Sequence, residues 1–266
     1  MSRFDDYKLA LLAAYSETPA DVLVGHLEER SGAFVELIID HGLGPIWHVR
    51  TGLAEFHGSR MQAEALFAMQ ERALTDIDEA LTGAGIDYAV IKGAANRLLL
   101  YDNPANRACY DIDLLVRHRD RVVAAAALVK AGFSAFPKPD NISIEMLLTR
   151  RKIDVDLHWR LLRDGRLQNE NIDGMLARRR KVEGVWMLDA DDALFLLLIH
   201  AAFTKHLASW EMGLHRVADI QLWLQKQEVD EQRVVARLEE NEVRTAAWVT
   251  LLWTEMLSHP DLLSLV

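Results

Sequence analysis

Two aspartates one residue apart, Asp111 and Asp113, interrupt the apolar run Asp111-Ile112-Asp113-Leu114-Leu115-Val116. In an extended segment side chains alternate faces, so both carboxylates project on one side while Ile112, Leu114 and Val116 hold the other on a core. About 7 Å apart along the strand, the like charges repel; both stay ionised comfortably only with a cation, or a Lys or Arg, between them. Mg²⁺, a hard ion that takes carboxylate and phosphate oxygens, suits that arrangement. A second stretch, Lys152 to Trp159, repeats the pattern: Ile153, Val155 and Leu157 share one face, leaving Asp154, Asp156 and His158 on the other. Acidic pairs are also common on solvated strand faces, and the pattern alone leaves both readings open.

The acidic strand follows a second candidate feature. Tyr88-Ala89-Val90-Ile91 is a short apolar strand, and Lys92-Gly93 marks a tight turn into a helix from Ala94 to Tyr101. A glycine there lets the backbone approach a ligand, and the first free N–H groups of the helix can hold a phosphate. A plain strand-to-helix turn needs the glycine as well. Asp102 to Asn106 is a loop, and Arg107 leads into the acidic strand, with Cys109 reading as a small buried residue.

Helices must flank these strands. Leu9, Leu11, Leu12 and Tyr15 have helical spacing, Ser16-Glu17-Thr18-Pro19 supplies a stop and a new start, and Asp21–Glu29, Ala33–His41 and the long Ser59–Thr82 stretch follow. His41, Trp47, His48 and His57 are expected near the turns. Gly83-Ala84-Gly85 closes the long helix. After the acidic strand come a helix from Arg119 to Ala131, a short extended piece from Phe133 to Phe136, a turn at Pro137–Asn141, and a hairpin of Ile142–Thr149 with Lys152–Trp159 around Arg150-Arg151. The basic run Arg178-Arg179-Arg180-Lys181 reads as a solvated helix end. Helices are predicted for 191–205, 214–226, 230–240 and 245–257, with Trp248 and Trp253 in a buried face of the last. The expected organisation is an N-terminal helical layer over 1–85, a core over 86–165 and a C-terminal helical region over 166–266, forming one compact unit of α+β class with a small mixed sheet.

Composition bounds the function. The chain has 266 residues, half of them hydrophobic, 40 acidic against 30 basic and a net charge of −10. Such an acidic chain is poorly suited to tracking a nucleic-acid backbone, whose affinity comes mainly from Lys and Arg on phosphates. Small molecules, peptides or proteins are the expected partners, with nucleic acid disfavoured and no membrane. One cysteine gives neither an internal disulfide nor a Cys-rich zinc site. No apolar run reaches transmembrane length, and Met1 to Asp6 lacks the apolar stretch of a signal peptide, so a cytoplasmic location is expected.

In their order, these features resemble the DNA polymerase β-like nucleotidyltransferase superfamily: a strand, a glycine turn opening a helix, a strand with Asp-x-Asp, and a later strand with another Asp. More closely, the chain resembles a bacterial family described as uncharacterised nucleotidyltransferases. The matching residues are Ile91-Lys92-Gly93-Ala94-Ala95, Leu100-Tyr101, Arg107, Asp111 to Val116, Ala131-Gly132-Phe133 and Val155-Asp156-Leu157-His158-Trp159-Arg160; the pattern His200, Lys205-His206, Arg216 and Asp219 also looks like that family's C-terminal helices.

The resemblance implies a nucleotidyltransferase core and metal-dependent transfer of a nucleoside monophosphate from an NTP, such as ATP, to a hydroxyl or similar acceptor on a small molecule, peptide or protein. It implies that Asp111, Asp113 and Asp156 hold Mg²⁺ or Mn²⁺ and are catalytic. Asp111 and Asp113 would bridge two ions about 3.5–4 Å apart that clamp the attacking and leaving oxygens, and Asp156 would complete the site, bound to the catalytic ion, and act as general base. Lys92, Gly93, Ala94, Arg107 and His158 are the implied nucleotide-binding residues. Lys92 would neutralise the triphosphate, Arg107 would contact phosphate or stiffen the loop, and His158 would carry a proton or, the favoured role, orient Asp156. Ala94 departs from the superfamily, which usually has serine after the glycine; Lys92 before it takes over part of that role. His200, Lys205, His206 and Asp219 either line the pocket or serve packing. Two alternatives remain: a toxin-like transferase acting on tRNA ends, and a protein of this fold that binds a nucleotide or partner without turnover. Acceptor and oligomeric state are not legible in the sequence.

Overall fold

Alternation of apolar residues builds a sheet whose two faces meet different helices. The computed structural model describes residues 3–30, 32–136, 143–204 and 213–257. Its helices are α1 (Arg3–Tyr15), α2 (Ala20–Glu28), α3 (Gly32–Asp40), α4 (Gly44–Thr51), α5 (His57–Gly83), α6 (Lys92–Leu100), α7 (Arg121–Lys130), α8 (Ile172–Arg178), α9 (Ala190–Thr204), α10 (Leu214–Lys226), α11 (Glu231–Glu240) and α12 (Arg244–Leu257). The strands are β1 (Tyr88–Ile91), β2 (Asp111–Val116), β3 (Ser134–Phe136), β4 (Glu145–Arg150), β5 (Ile153–His158), β6 (Arg180–Val182) and β7 (Val185–Met187). They form one mixed sheet in the order β3-β4-β5-β2-β1-β7-β6. The fold is α+β with helices on both sides, as the sequence pattern requires. The expected turn at Pro137–Asn141, and Lys205 and His206, lie outside the described residues.

In the centre of the sheet, Tyr88 and Val90 of β1, Ile112, Leu114 and Val116 of β2, and Ile153, Val155 and Leu157 of β5 share one core with Ala73, Leu74, Ile77 and Leu81 of α5 and Leu128 of α7. The opposite face carries Ala89, Ile91 and Leu115, which pack with Leu194, Phe195, Leu198 and Ile199 of α9 and Ile220 and Trp223 of α10. Asp111, Asp113, Asp156 and His158 belong to that second face by the strand's period of two. One set of apolar residues therefore fixes the register while the other face is free for charge. The hairpin between β4 and β5 forms as predicted, with Arg150 paired to Ile153 and Arg151 in the left-handed region at φ +58°.

Helices α1 to α4 pack on the C-terminal helices and leave α5 to cover the sheet. Leu11, Leu23, Phe34, Ile38, Trp47 and Phe56 share a core with Leu214, Val217 and Ala218 of α10 and Leu257 of α12. Trp47 is its centre: fully buried, stacked near Phe34 and Phe56, with Nε1 donating to the Ala10 carbonyl at 2.8 Å. His48 lies within α4 instead of at a turn, a helix that Gly44-Pro45 opens and Gly52 at φ +70° closes.

The sheet also runs beyond residue 165, because β6 and β7 add a hairpin beside β1. The basic run is correspondingly not a solvated helix end. Arg178 closes α8 against Asp192 at 2.7 Å, Arg179 meets Asp87 at 2.5 Å, and Lys181 in β6 meets Asp78 at 3.0 Å. Among the described residues, no helix is long and apolar enough to cross a membrane.

Trp47→Ala empties the centre of the N-terminal core and removes the indole bond to the Ala10 carbonyl. It is expected to cost about 3–5 kcal/mol in urea unfolding, with Trp47→Phe clearly less.

Candidate active site

Parallel pairing of β2 with β5 brings the charged residues together. Asp111 lies opposite Asp154, Asp113 opposite Asp156, and Leu115 opposite His158. Ligand atoms of Asp113, Asp156 and His158 all fall within 4.8 Å of one another, a spacing that a single cation can span. Asp111 lines the same cleft one pleat away, and Asp154 is exposed outside it. Two carboxylates and an imidazole suit Mn²⁺ well and Mg²⁺ through its oxygen ligands.

The cluster already contains a cation. Lys92 Nζ donates to Asp113 Oδ1 at 2.7 Å and lies 3.1 Å from His158 Nε2. His158 Nε2 is itself 2.7 Å from Asp113 Oδ1, and its Nδ1 is 3.3 Å from Glu145 Oε2 on β4. His158 therefore braces Asp113 and not Asp156, the partner expected from its place two residues along the strand. Glu145, not singled out in the sequence, enters because β4 pairs it directly with His158. Lys92 reaches the cluster from a left-handed backbone, φ +55°. For a lysine this conformation is unfavourable by about 1–2 kcal/mol and has to be held by its surroundings.

Electrostatics divides the carboxylates. Burial pushes Asp113 upward, but Lys92 and His158 together more than offset it and hold its carboxyl far below the usual range. Asp156 lacks such a partner: burial, then the charges of Glu145 and Asp113, raise it to about 6. Burial and the neighbouring Asp113 also raise Asp111. The same face thus holds a firmly ionised carboxylate beside two that a cation would stabilise in their charged form.

Arg107 lines the cleft and is held from within the protein. It is 6% exposed, and its fork embraces Asp219 of α10: Nη2 donates to Oδ2 at 2.7 Å and Nε to Oδ1 at 3.3 Å. Tyr101 Oη donates to Oδ1 at 3.0 Å and Asn96 Nδ2 to Oδ2 at 2.9 Å, so Asp219 is fully engaged and serves packing. Burial pushes Asp219 upward, and Arg107 more than reverses this, leaving it below the ordinary range. Arg107 also explains Gly93. A Cβ on that residue would lie 2.7 Å from Arg107 Nη1 and 3.0 Å from Cys109 Sγ, so the glycine makes room for the protein's own side chains. Ala94 is buried in the sheet core.

Helices α9 and α10 roof the acidic face and enclose a cleft of about 830 Å³. His200 of α9 is kept neutral by burial and by Lys92 and Arg216 nearby. Arg216 of α10, Tyr110 beside Asp111, and Arg163 and Arg166 beyond β5 complete the wall.

A family model described as "uncharacterised nucleotidyltransferase" matches residues 33–258. No curated protein matches the chain. Among solved structures, the antibiotic-resistance factor ANT(2'')-Ia aligns with a TM-score of 0.45 and 13% identity over 68% of this chain and 95% of its own. An antigenic nucleotidyltransferase-like protein from Paracoccidioides brasiliensis aligns with a TM-score of 0.40 and 17% identity over 70% and 90% respectively.

Asp219→Ala leaves Arg107 charged and unpaired in the interior and is expected to cost about 3–5 kcal/mol in chemical denaturation, whereas the double variant Arg107→Met with Asp219→Leu costs less than Asp219→Ala alone. Because the native carboxyl is depressed, its contribution is complete above the unfolded value near 3.9 and is lost as pH falls through the lower native value. Wild type and the double variant should accordingly converge in stability below about pH 4.

Proposed function

We propose that this chain, which belongs to the family of uncharacterised nucleotidyltransferases, transfers a nucleoside monophosphate from an NTP such as ATP to a hydroxyl or similar group on a small molecule, peptide or protein, in the cytoplasm. The observation that carries the reading is the convergence of Asp113, Asp156 and His158 within 4.8 Å, next to Lys92 and Asp111 in one cleft.

Asp113 and Asp156 would hold a divalent cation, with Asp111 beside them and His158 bracing Asp113. When bound, Mg²⁺ or Mn²⁺ supplies charge neutralisation of the transferring phosphoryl group and of the leaving oxygen. Lys92 supports Asp113 in its ionised form and adds positive charge beside the metal site. Asp156, raised to about 6 by burial and its acidic neighbours, would be held in its charged form once the cation binds, and an oxygen not spent on the ion would be placed to accept the acceptor's proton. Lys92 and Gly93, which open α6, line the cleft, and free N–H groups in the first turn of a helix would donate to phosphate oxygens there. Rigid strands beneath these groups serve the reaction by fixing distances.

With Mg²⁺ or Mn²⁺ and a panel of NTPs and acceptors, purified protein should release pyrophosphate. Chelation by EDTA should abolish the release, and Asp113→Asn or Asp156→Asn should lower it by about 10²-fold or more without a comparable loss of stability. No NTP binding in calorimetry and no pyrophosphate with any acceptor would sink the proposal. Radiolabelled NTP appearing on tRNA would redirect it to RNA ends, and an unchanged cellular phenotype in the double variant Asp111→Asn with Asp113→Asn would favour binding without turnover.

A further inference from the structure

Several arginines of this fold bury an unbonded nitrogen, and one of them differs from the rest. Arg97, Arg179 and Arg180 each leave Nε unbonded, but their terminal nitrogens are engaged, by Gln70 and the Arg107 carbonyl, by Asp87, and by Gln227. Arg216 has its Nη1 shut away from solvent with no partner, and among the described residues no other group bonds to its guanidinium. It is also the member of this group that lines the cleft. A guanidinium brings five N–H donors and a permanent charge. A buried donor such as Nη1 left without an acceptor weakens the fold, and an acceptor supplied by a ligand in the cleft would remove that cost.

Among the described residues no carboxylate bonds to the Arg216 guanidinium. Asp219, one turn further along α10, has both oxygens taken by Tyr101, Asn96 and Arg107. Asp111 and Asp113 across the cleft, and Asp219 itself, attract Arg216 through space, while Arg107 opposes its charge. Neutral His200 stands nearby on α9. Lys92 and Arg107, the other buried cations of the cleft, are committed to Asp113 and Asp219.

We infer that Arg216 is the anchor of a phosphate-type oxyanion subsite on the helical roof of the cleft, facing the acidic strand. The fork accepts two oxygens side by side, as it does with phosphates and carboxylates generally. A phosphoryl group fits better than a carboxylate because it keeps a further oxygen for the opposite wall. The anion is either the polyphosphate of the NTP or a phosphate on the acceptor; only this choice of source rests on the transfer reading above.

Calorimetry with sodium tripolyphosphate in Mg²⁺ buffer tests the site without any turnover. Wild type should bind, Arg216→Gln and Arg216→Met should bind about 10- to 100-fold more weakly, the size of a lost pair of charge-assisted bonds, and Arg216→Lys should fall between them. Arg72→Gln, exposed on α5 and outside the cleft, serves as the control and should bind as wild type. Without ligand, Arg216→Met should melt at or above the wild-type temperature, and tripolyphosphate should raise the wild-type midpoint but not that of the variant. Equal affinity in wild type and both variants, no binding by wild type, or a marked loss of stability in both variants would overturn the inference. A blocked titration in saturating MgATP assigns the oxyanion to the nucleotide, and a retained one assigns it to the acceptor; either upholds the site. Tripolyphosphate binding that depends on Arg216 in a protein that turns over no NTP would keep this subsite and remove the transferase reading.

Discussion

The parallel register of β2 on β5 is the constraint from which the rest of the site follows. It sets Asp113 beside Asp156 across neighbouring strands about 4.8 Å apart, where two negative charges repel strongly in a partly dry environment. A one-residue slip would relieve the repulsion, but it would also turn Ile112, Leu114, Val155 and Leu157 away from α5 and α7. The hydrophobic face thus enforces an electrostatic arrangement that the carboxylates would not adopt by themselves. Lys92 and His158 settle the charge of Asp113, and the residual cost falls on Asp156, whose carboxyl rises to about 6. Unequal neighbours therefore give like residues unlike chemistry.

Holding Lys92 in place requires support from the opposite end of the chain. Its left-handed backbone opens α6, and the next residue is glycine because Arg107 and Cys109 fill the space a side chain would need. Arg107 is fixed by Asp219 of α10, which also ties down Asn96 in the middle of α6 and Tyr101 just past its end. One buried carboxylate from a C-terminal helix thereby joins the turn that carries Lys92, the loop leading to β2 and the roof of the cleft. Gln70 of α5 adds a link from below, donating to the Cys109 carbonyl at 3.2 Å.

Much of this was legible in the sequence, and the portions that were not have a common cause. Alternation identified the acidic faces of residues 111–116 and 153–158, and helical spacing placed α10 at its observed bounds, since both signals are local. Pairings between distant segments leave no periodicity. The β6–β7 hairpin is short, with three-residue strands beside a basic run, and its ion partners Asp78, Asp87 and Asp192 lie in other elements. His158 shares a face with Asp156 along its own strand, but the neighbouring strand offers Asp113 at 2.7 Å and β4 offers Glu145. Arg107 stood next to the acidic strand and looked equally suited to phosphate or to the loop; its ion partner Asp219 lies 112 residues away and left no local signal.

The C-terminal helices are more than a cover for the sheet. An acidic strand face open to water would need no roof, and its carboxylates would be solvated and ordinary. By burying that face, α9 and α10 raise the cost of its charges and at the same time bring Arg216 and neutral His200 to within reach of them. Lys92 is neutralised by the floor and Arg107 by the roof, which among the described residues leaves carboxylates of the floor and the Arg216 guanidinium of the roof without a hydrogen-bonded counter-ion. A ligand that satisfies both walls has to present cationic character to β2 and β5 and oxyanion character to α10. A polyphosphate with its divalent cation has that polarity, and neither a simple anion nor a simple cation does.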